Sequence, residues 1–157
     1  MRIEQKTRLV EALHTTVARL RAGAPYQWGH FGACNCGHLA QALTRRSPAE
    51  IHRAAIERAA TWALPPVDDW GDAAVEHCPA SGLPLDDILD EMLAAGLTLT
   101  DIRHLEELTD PRNLALLPDG QRHLRRHRRD HLLAYLQAWA ARLEAELAVE
   151  VPALAAE

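Results

Sequence analysis

The sequence predicts an all-α fold: a single-domain helical bundle over 1–157, with a long C-terminal helix and two loops that carry cysteine and histidine. Three observations predict it. Apolar residues recur at three- and four-residue intervals through most of the chain, the period of a helix face. Capping residues, prolines and glycines separate these runs where helices start and stop. No alternating strand pattern, internal repeat or low-complexity run is present. At 157 residues, 48% of them hydrophobic, the chain is long enough to bury a core without staples.

The elements follow in order. Ile3, Val10, Leu13, Val17 and Leu20 form one apolar stripe, which Gly23 and Pro25 end. A cysteine- and histidine-rich loop comes next. A short helix is expected over 36–45, with Asn35 as its N-cap. Ser47-Pro48-Ala49-Glu50 has the form of an N-cap, a first-turn proline and a capping-box glutamate. The helix it opens places Ile51, Ala55, Ala59 and Trp62 on one face and ends at Pro65-Pro66. Residues 64–83 form the longest irregular stretch, and long loops in compact domains are usually functional or tied down. Pro84 starts a helix through Ile88, Leu89, Met92 and Leu93, closed by Gly96. Thr98 or Thr100 caps the next, with Ile102, Leu105 and Leu108 inward, and Asp110-Pro111 and Asp119-Gly120 punctuate again. The last helix is expected over 121–149, about 40 Å long. Leu124, His131, Leu132, Tyr135, Trp139, Leu143 and Leu147 lie along one side of it.

Composition narrows the function classes. No stretch approaches a membrane span, and Met1–Lys6 lacks the apolar core of a signal peptide, so the expected compartment is the cytosol, with no membrane partner. There disulfides are disfavoured, and three cysteines are an odd number. Net charge is −5, unevenly spread. Asp68 to Asp110 holds twelve acids against one base, Arg103, whereas Arg122 to Arg129 holds five arginines and no acid. These regions suit contact within one molecule or across a homo-oligomer; a solvated helix face is the plainer reading of the arginine run. Nucleic-acid or anion binding through Arg122–Arg129 is an alternative. The helices expected near 84–95 and 101–109 are spaced like a helix-turn-helix, but Asp101, Glu106 and Glu107 make the second too acidic for a major groove.

The chemistry concentrates in Trp28-Gly29-His30-Phe31-Gly32-Ala33-Cys34-Asn35-Cys36-Gly37-His38-Leu39 and in His77-Cys78-Pro79. Residues two apart on a helix point to different faces. Cys34 and Cys36 therefore share a site only where the loop turns into the helix. A helix N-terminus there favours thiolate, the form that binds metal and attacks electrophiles. Cys34, Cys36 and Cys78 with one histidine would make a tetrahedral Cys3His site. His38 is preferred as the fourth donor, and His30 and His77 remain open. Soft thiolates select zinc first, then iron or an iron–sulfur cluster. Such a site is either structural, joining the two loops, or catalytic with an open position.

The same atoms suit a thiol enzyme or redox sensor using Cys36 and Cys34. Asn35-Cys36-Gly37-His38-Leu39 resembles the nucleophile region of papain-like cysteine hydrolases, where a cysteine opens a helix; those families draw their histidine from a sheet, which this sequence does not predict. Buried, inert cysteines packed by Trp28, Phe31 and Trp70 are the bland alternative.

Other candidates are weaker. His123, His127 and His131 share one face if the last helix includes them, but the arginines between them repel a cation, and His131 is expected to face the core with Tyr135. His104 and Glu107 have metal-compatible helical spacing. Asp86, Asp87, Asp90 and Glu91 form an acidic helix start, which dipole complementarity explains for the first two.

The motif W-G-H-x-G-x-C-N-C-G-H-L over 28–39, followed by Cys78, His104-Leu105-Glu106 and Asp110, resembles a family of small uncharacterised bacterial proteins. The resemblance implies a complete, single-domain cytosolic bacterial protein and brings no activity with it.

Overall fold

The computed structural model describes residues 1–28, 32–53, 86–118 and 123–154, whose regular structure is helical with no strand among them. The helices are α1 (Ile3–Arg21), α2 (Asn35–Thr44), α3 (described over 48–53), α4 (Asp86–Ala94), α5 (Leu99–Glu107), α6 (Pro111–Leu114) and α7 (Arg129–Leu154). The all-α expectation and the long C-terminal helix hold. No helix among the described residues is long and apolar enough to cross a membrane.

α1 packs most extensively along α7 and lies against α2, which also packs on α4 and α5. The reason is written in the α1 stripe: Leu9, Leu13, Val17 and Leu20 are all buried, spaced by three and four. Leu39, Leu105, Leu132 and Leu136 close the same core at 0% exposure. Each such leucine contributes about 1.5–3 kcal/mol through burial. Tyr135 and Trp139 meet edge-on at 6.2 Å between ring centroids on the inner face of α7.

Local signals place several boundaries. The Ser47 hydroxyl accepts from the Glu50 amide at 3.3 Å while Glu50 Oε2 accepts from the Ser47 amide at 2.7 Å, the expected capping box. Thr98 and Asp101 repeat it at α5. Gly23 and Gly96 close α1 and α4 at φ +101° and +97°. Leu108 closes α5 at φ 57°, a costly conformation for leucine that its near-complete burial offsets. Asp110 caps α6 by accepting from the Arg112 amide at 2.9 Å.

Two boundaries differ from expectation. α7 begins at Arg129, eight residues after the expected start, and residues 123–128 are not helical. Arginines three and four apart repel one another on a helix. Here the Arg126 carbonyl accepts instead from Tyr26 and Asn35. The arginine run is thus no solvated helix face, and His123 and His127 share no helix face with His131. His131 is half-buried, and its Nδ1 accepts from the Arg125 amide at 2.7 Å rather than entering the core. The second difference lies at α2: its N-cap is Cys34, not Asn35. The expected end of α3 at Pro65-Pro66 and the irregular 64–83 stretch lie outside the described residues, as do Asp119-Gly120.

Candidate functional site

The site is built on the N-terminus of α2. Cys34, the N-cap, is extended (φ −81°, ψ −173°), and its Sγ accepts from the Gly37 amide at 3.4 Å. A sulfur therefore occupies the place where serine or aspartate usually caps. Asn35 fails as the cap because its side chain is engaged elsewhere. Its Nδ2 donates to the Glu106 carbonyl at 2.8 Å and to the Arg126 carbonyl at 3.3 Å. The Tyr26 hydroxyl sits between Asn35 Oδ1, at 2.8 Å, and the Arg126 carbonyl, sharing its single hydrogen. Asn35 thus ties α2 to the end of α5 and to the 123–128 segment.

Glu106, near the end of α5, completes the helix start. Its Oε1 accepts from the Cys36 amide at 2.8 Å and lies 3.6 Å from Cys34 Sγ. The Cys36 thiol, half-buried, also lies 3.7 Å from the Ile102 carbonyl. Cys34 and Glu106 are buried, at 1% and 2% exposure. Two acceptors with first-turn N–H groups of α2 directed at them, a sulfur and a carboxyl oxygen, therefore sit side by side, both buried. Both cannot carry full negative charge so close without large cost. The pair is satisfied by one shared proton or by a cation.

Burial is the largest influence on Glu106 and raises its pKa above the usual carboxylate value. Hydrogen bonds from the Cys36 thiol and amide and the Cys34 thiol, and the Arg126 charge, oppose this without cancelling it. Its Oε2 has no hydrogen-bond partner. Burial also raises the Tyr26 pKa, helped by negative charge on Glu106 and Cys34, so the hydroxyl stays a donor. Arg126 lies with its guanidinium 5.1 Å from the centre of the Trp28 ring, roofing one side.

Of the expected metal set, the structure brings Cys34 and Cys36 together around Glu106. His38 lies one turn further along α2. Its ring nitrogen Nε2 is 3.0 Å from the Pro25 carbonyl, and the ring stacks on Tyr26. Burial lowers its pKa and keeps it neutral, so Nε2 carries the hydrogen, while Nδ1 is buried without a hydrogen-bond partner. Among the described residues no three His, Cys, Asp or Glu side chains are grouped to hold a metal ion. His30, His77 and Cys78 lie outside the described residues. His104 is occupied locally, with Nδ1 at 2.9 Å from the Thr109 hydroxyl, and Glu107 pairs with Arg103 at 3.9 Å.

Sequence reasoning passed over Glu106 and Tyr26 as site residues, took Asn35 only as a helix cap and placed Arg126 only in the anion-binding run Arg122–Arg129. For Glu106 a signal existed: with Ile102 and Leu105 it completes an i, i+3, i+4 set on the inward face of α5. An acid on an apolar stripe marks a buried carboxyl that needs a partner. Compared with known proteins, the chain matches no family model, no curated protein and no solved structure.

Proposed function

We propose that Cys34, Cys36 and Glu106 form a thiol centre that undergoes reversible thiol–disulfide exchange. The observation that carries this reading is the convergence of both cysteines on one fully buried carboxyl. Cys36, half-buried, is the entering sulfur; Cys34, buried, is the resolving one. In the cycle two thiols become one Cys34–Cys36 disulfide, and the two electrons and two protons reduce a partner disulfide to two thiols. Glu106 receives and returns the proton of the attacking thiol, a task that a raised carboxyl pKa suits. The separation of the two Cα atoms is set by the helical Asn35 between them, about 5.4 Å from helix geometry. That is inside the span a disulfide bridges.

The test is peptide mapping after exposure to an excess of a small oxidised disulfide. The expected product is a Cys34–Cys36 bridge, reversed by dithiothreitol and absent in Cys34→Ser and Cys36→Ser. Folded protein whose two thiols resist the oxidant would sink the proposal.

A second reading keeps the metal-binding role. Its support is the 3.6 Å between Cys34 Sγ and Glu106 Oε1. A tetrahedral zinc with bonds of about 2.3 Å to sulfur and about 2.1 Å to oxygen separates the two ligand atoms by about 3.6 Å. Elemental analysis of protein purified without added metal decides between the readings. Stoichiometric zinc or iron, lost in the serine variants, replaces exchange chemistry with metal binding.

A further inference from the structure

The thiol centre has a charged and aromatic rim that exchange chemistry alone does not require. The Arg126 side chain is exposed and stacks over the half-buried Trp28. Stacking fixes the plane of a guanidinium and leaves its N–H edges free for a bidentate acceptor. The Arg126 backbone is held in turn by Asn35, the residue between the two cysteines, and by Tyr26. Arg125 next to it is also exposed, and Arg129 is half-buried with Nε lacking a hydrogen-bond partner. Among the described residues none of these three arginines pairs with a carboxylate, although Arg112, Arg128 and Arg142 all do. The Arg126 carbonyl, 3.3 Å from Asn35 Nδ2, places this residue beside the N-terminus of α2.

We infer that the exchange partner is a small anionic disulfide whose carboxylate is held by Arg126 while its sulfur meets Cys36. This rests on the thiol reading above. The Cys36 thiolate attacks the nearer sulfur of R–S–S–R, forming Cys36–S–S–R and releasing R–S⁻, which takes up the proton lost by Cys36. The Cys34 thiolate then attacks Cys36, closing the Cys34–Cys36 bridge and releasing the second R–S⁻. The partner supplies the oxidising equivalents, and no other oxidant is needed.

The test uses the full chain and two reagents of opposite charge, 3,3′-dithiodipropionate and cystamine. Each rate at Cys36 is divided by the rate with mercaptoethanol, which removes the difference in leaving-group reactivity. At low salt the normalised rate should favour the dianion by about tenfold, the lower range of electrostatic steering. The preference should shrink at high salt and in Arg126→Gln. It should persist in part in Arg126→Lys, which keeps the charge but not the fork, and in full in the control Arg2→Gln at the other end of α1. Equal normalised rates in the parent protein overturn the inference and leave the thiol reading standing; the salt series carries this test even if Arg126→Gln fails to fold. If neither reagent gives a mixed disulfide or a bridge at Cys36, the thiol reading itself falls.

Discussion

Two polar clusters, each built on a buried carboxyl, are balanced in opposite ways. At the α1–α6–α7 junction every charge has a counterpart. Lys6 pairs with Glu150 and, at 2.9 Å, with Glu146. Arg142 donates to Asn113 Oδ1 at 2.8 Å and to Glu146 at 2.6 Å. Asp110 accepts from the Arg112 guanidinium at 2.8 Å. At the α2–α5 junction Glu106 is as deeply buried, yet its contacts are a backbone amide and two thiols. Burial also pushes Asp110 up, but the Arg112 hydrogen bonds and the Arg142 charge more than offset it, and its pKa ends below the usual value. The Glu106 pKa ends above it. The first arrangement fixes helix packing. The second holds a carboxyl away from its preferred charge state, an arrangement typical of sites that move protons.

The comparison breaks most visibly at Arg142. Arg142→Met leaves the buried Asn113 Oδ1 without its donor, while Glu146 keeps Lys6 and Asp110 keeps Arg112, and should cost about 2 kcal/mol in urea unfolding, the scale for a buried acceptor left unsatisfied. Glu106→Gln should do the reverse. The amide oxygen still accepts from Cys36 and no charge needs desolvation, so stability should change by less than about 1 kcal/mol. Thiol exchange at Cys36, however, should slow by about 10², the scale of lost general acid–base help. An equally destabilised Glu106→Gln variant with unchanged exchange would make the two clusters alike and both structural.

The pH dependence sharpens the contrast, because the two carboxyls have opposite signs. The folded-state pKa of Asp110 lies below its ordinary 3.8. Its stabilisation is present above that value and is lost as pH falls through the folded pKa. The folded-state pKa of Glu106 lies above its ordinary 4.5. Folded protein therefore binds the extra proton, and stability falls as pH rises from 4.5 towards the folded pKa. Unfolding free energies against pH should thus diverge between the parent chain and Glu106→Gln above pH 4.5, whereas those of the parent and Asp110→Asn should converge below pH 3.8. The smallest effect is expected for Lys6→Met. Its partners Glu146 and Glu150 are 35% and 42% exposed, so solvent screens what remains, and the loss in urea unfolding should stay near 1 kcal/mol.

Much of the helical layout was legible in the sequence, because capping and apolar spacing are local. Ser47 with Glu50 and Thr98 as a cap needed no knowledge of the rest of the chain. The start of α7 was not legible, since Leu124 continues the apolar spacing of Leu132 and Tyr135 across a segment whose Arg126 carbonyl is claimed by Tyr26 and Asn35 from elsewhere. The cap of α2 was misjudged for the same kind of reason. Asparagine outranks cysteine as a cap by local preference, but Asn35 makes more hydrogen bonds with Tyr26, α5 and the 123–128 segment than it would as a cap. At the site, the cysteine pair was visible and its carboxyl partner was not, because Glu106 is separated from Cys36 by seventy residues.

By itself, then, the sequence determined that this chain is all-α, where most helices lie, and that Cys34 and Cys36 sit where a loop turns into a helix. These follow from interactions over three or four residues, which sequence spacing encodes directly. Only the tertiary structure decided what those thiols face. The packing of α5 on α2 buries Glu106 against them, and the non-helical 123–128 segment brings Arg126 beside Trp28. Both depend on contacts between segments distant along the chain, and the cost or gain of a buried charge is fixed by the neighbours that folding supplies.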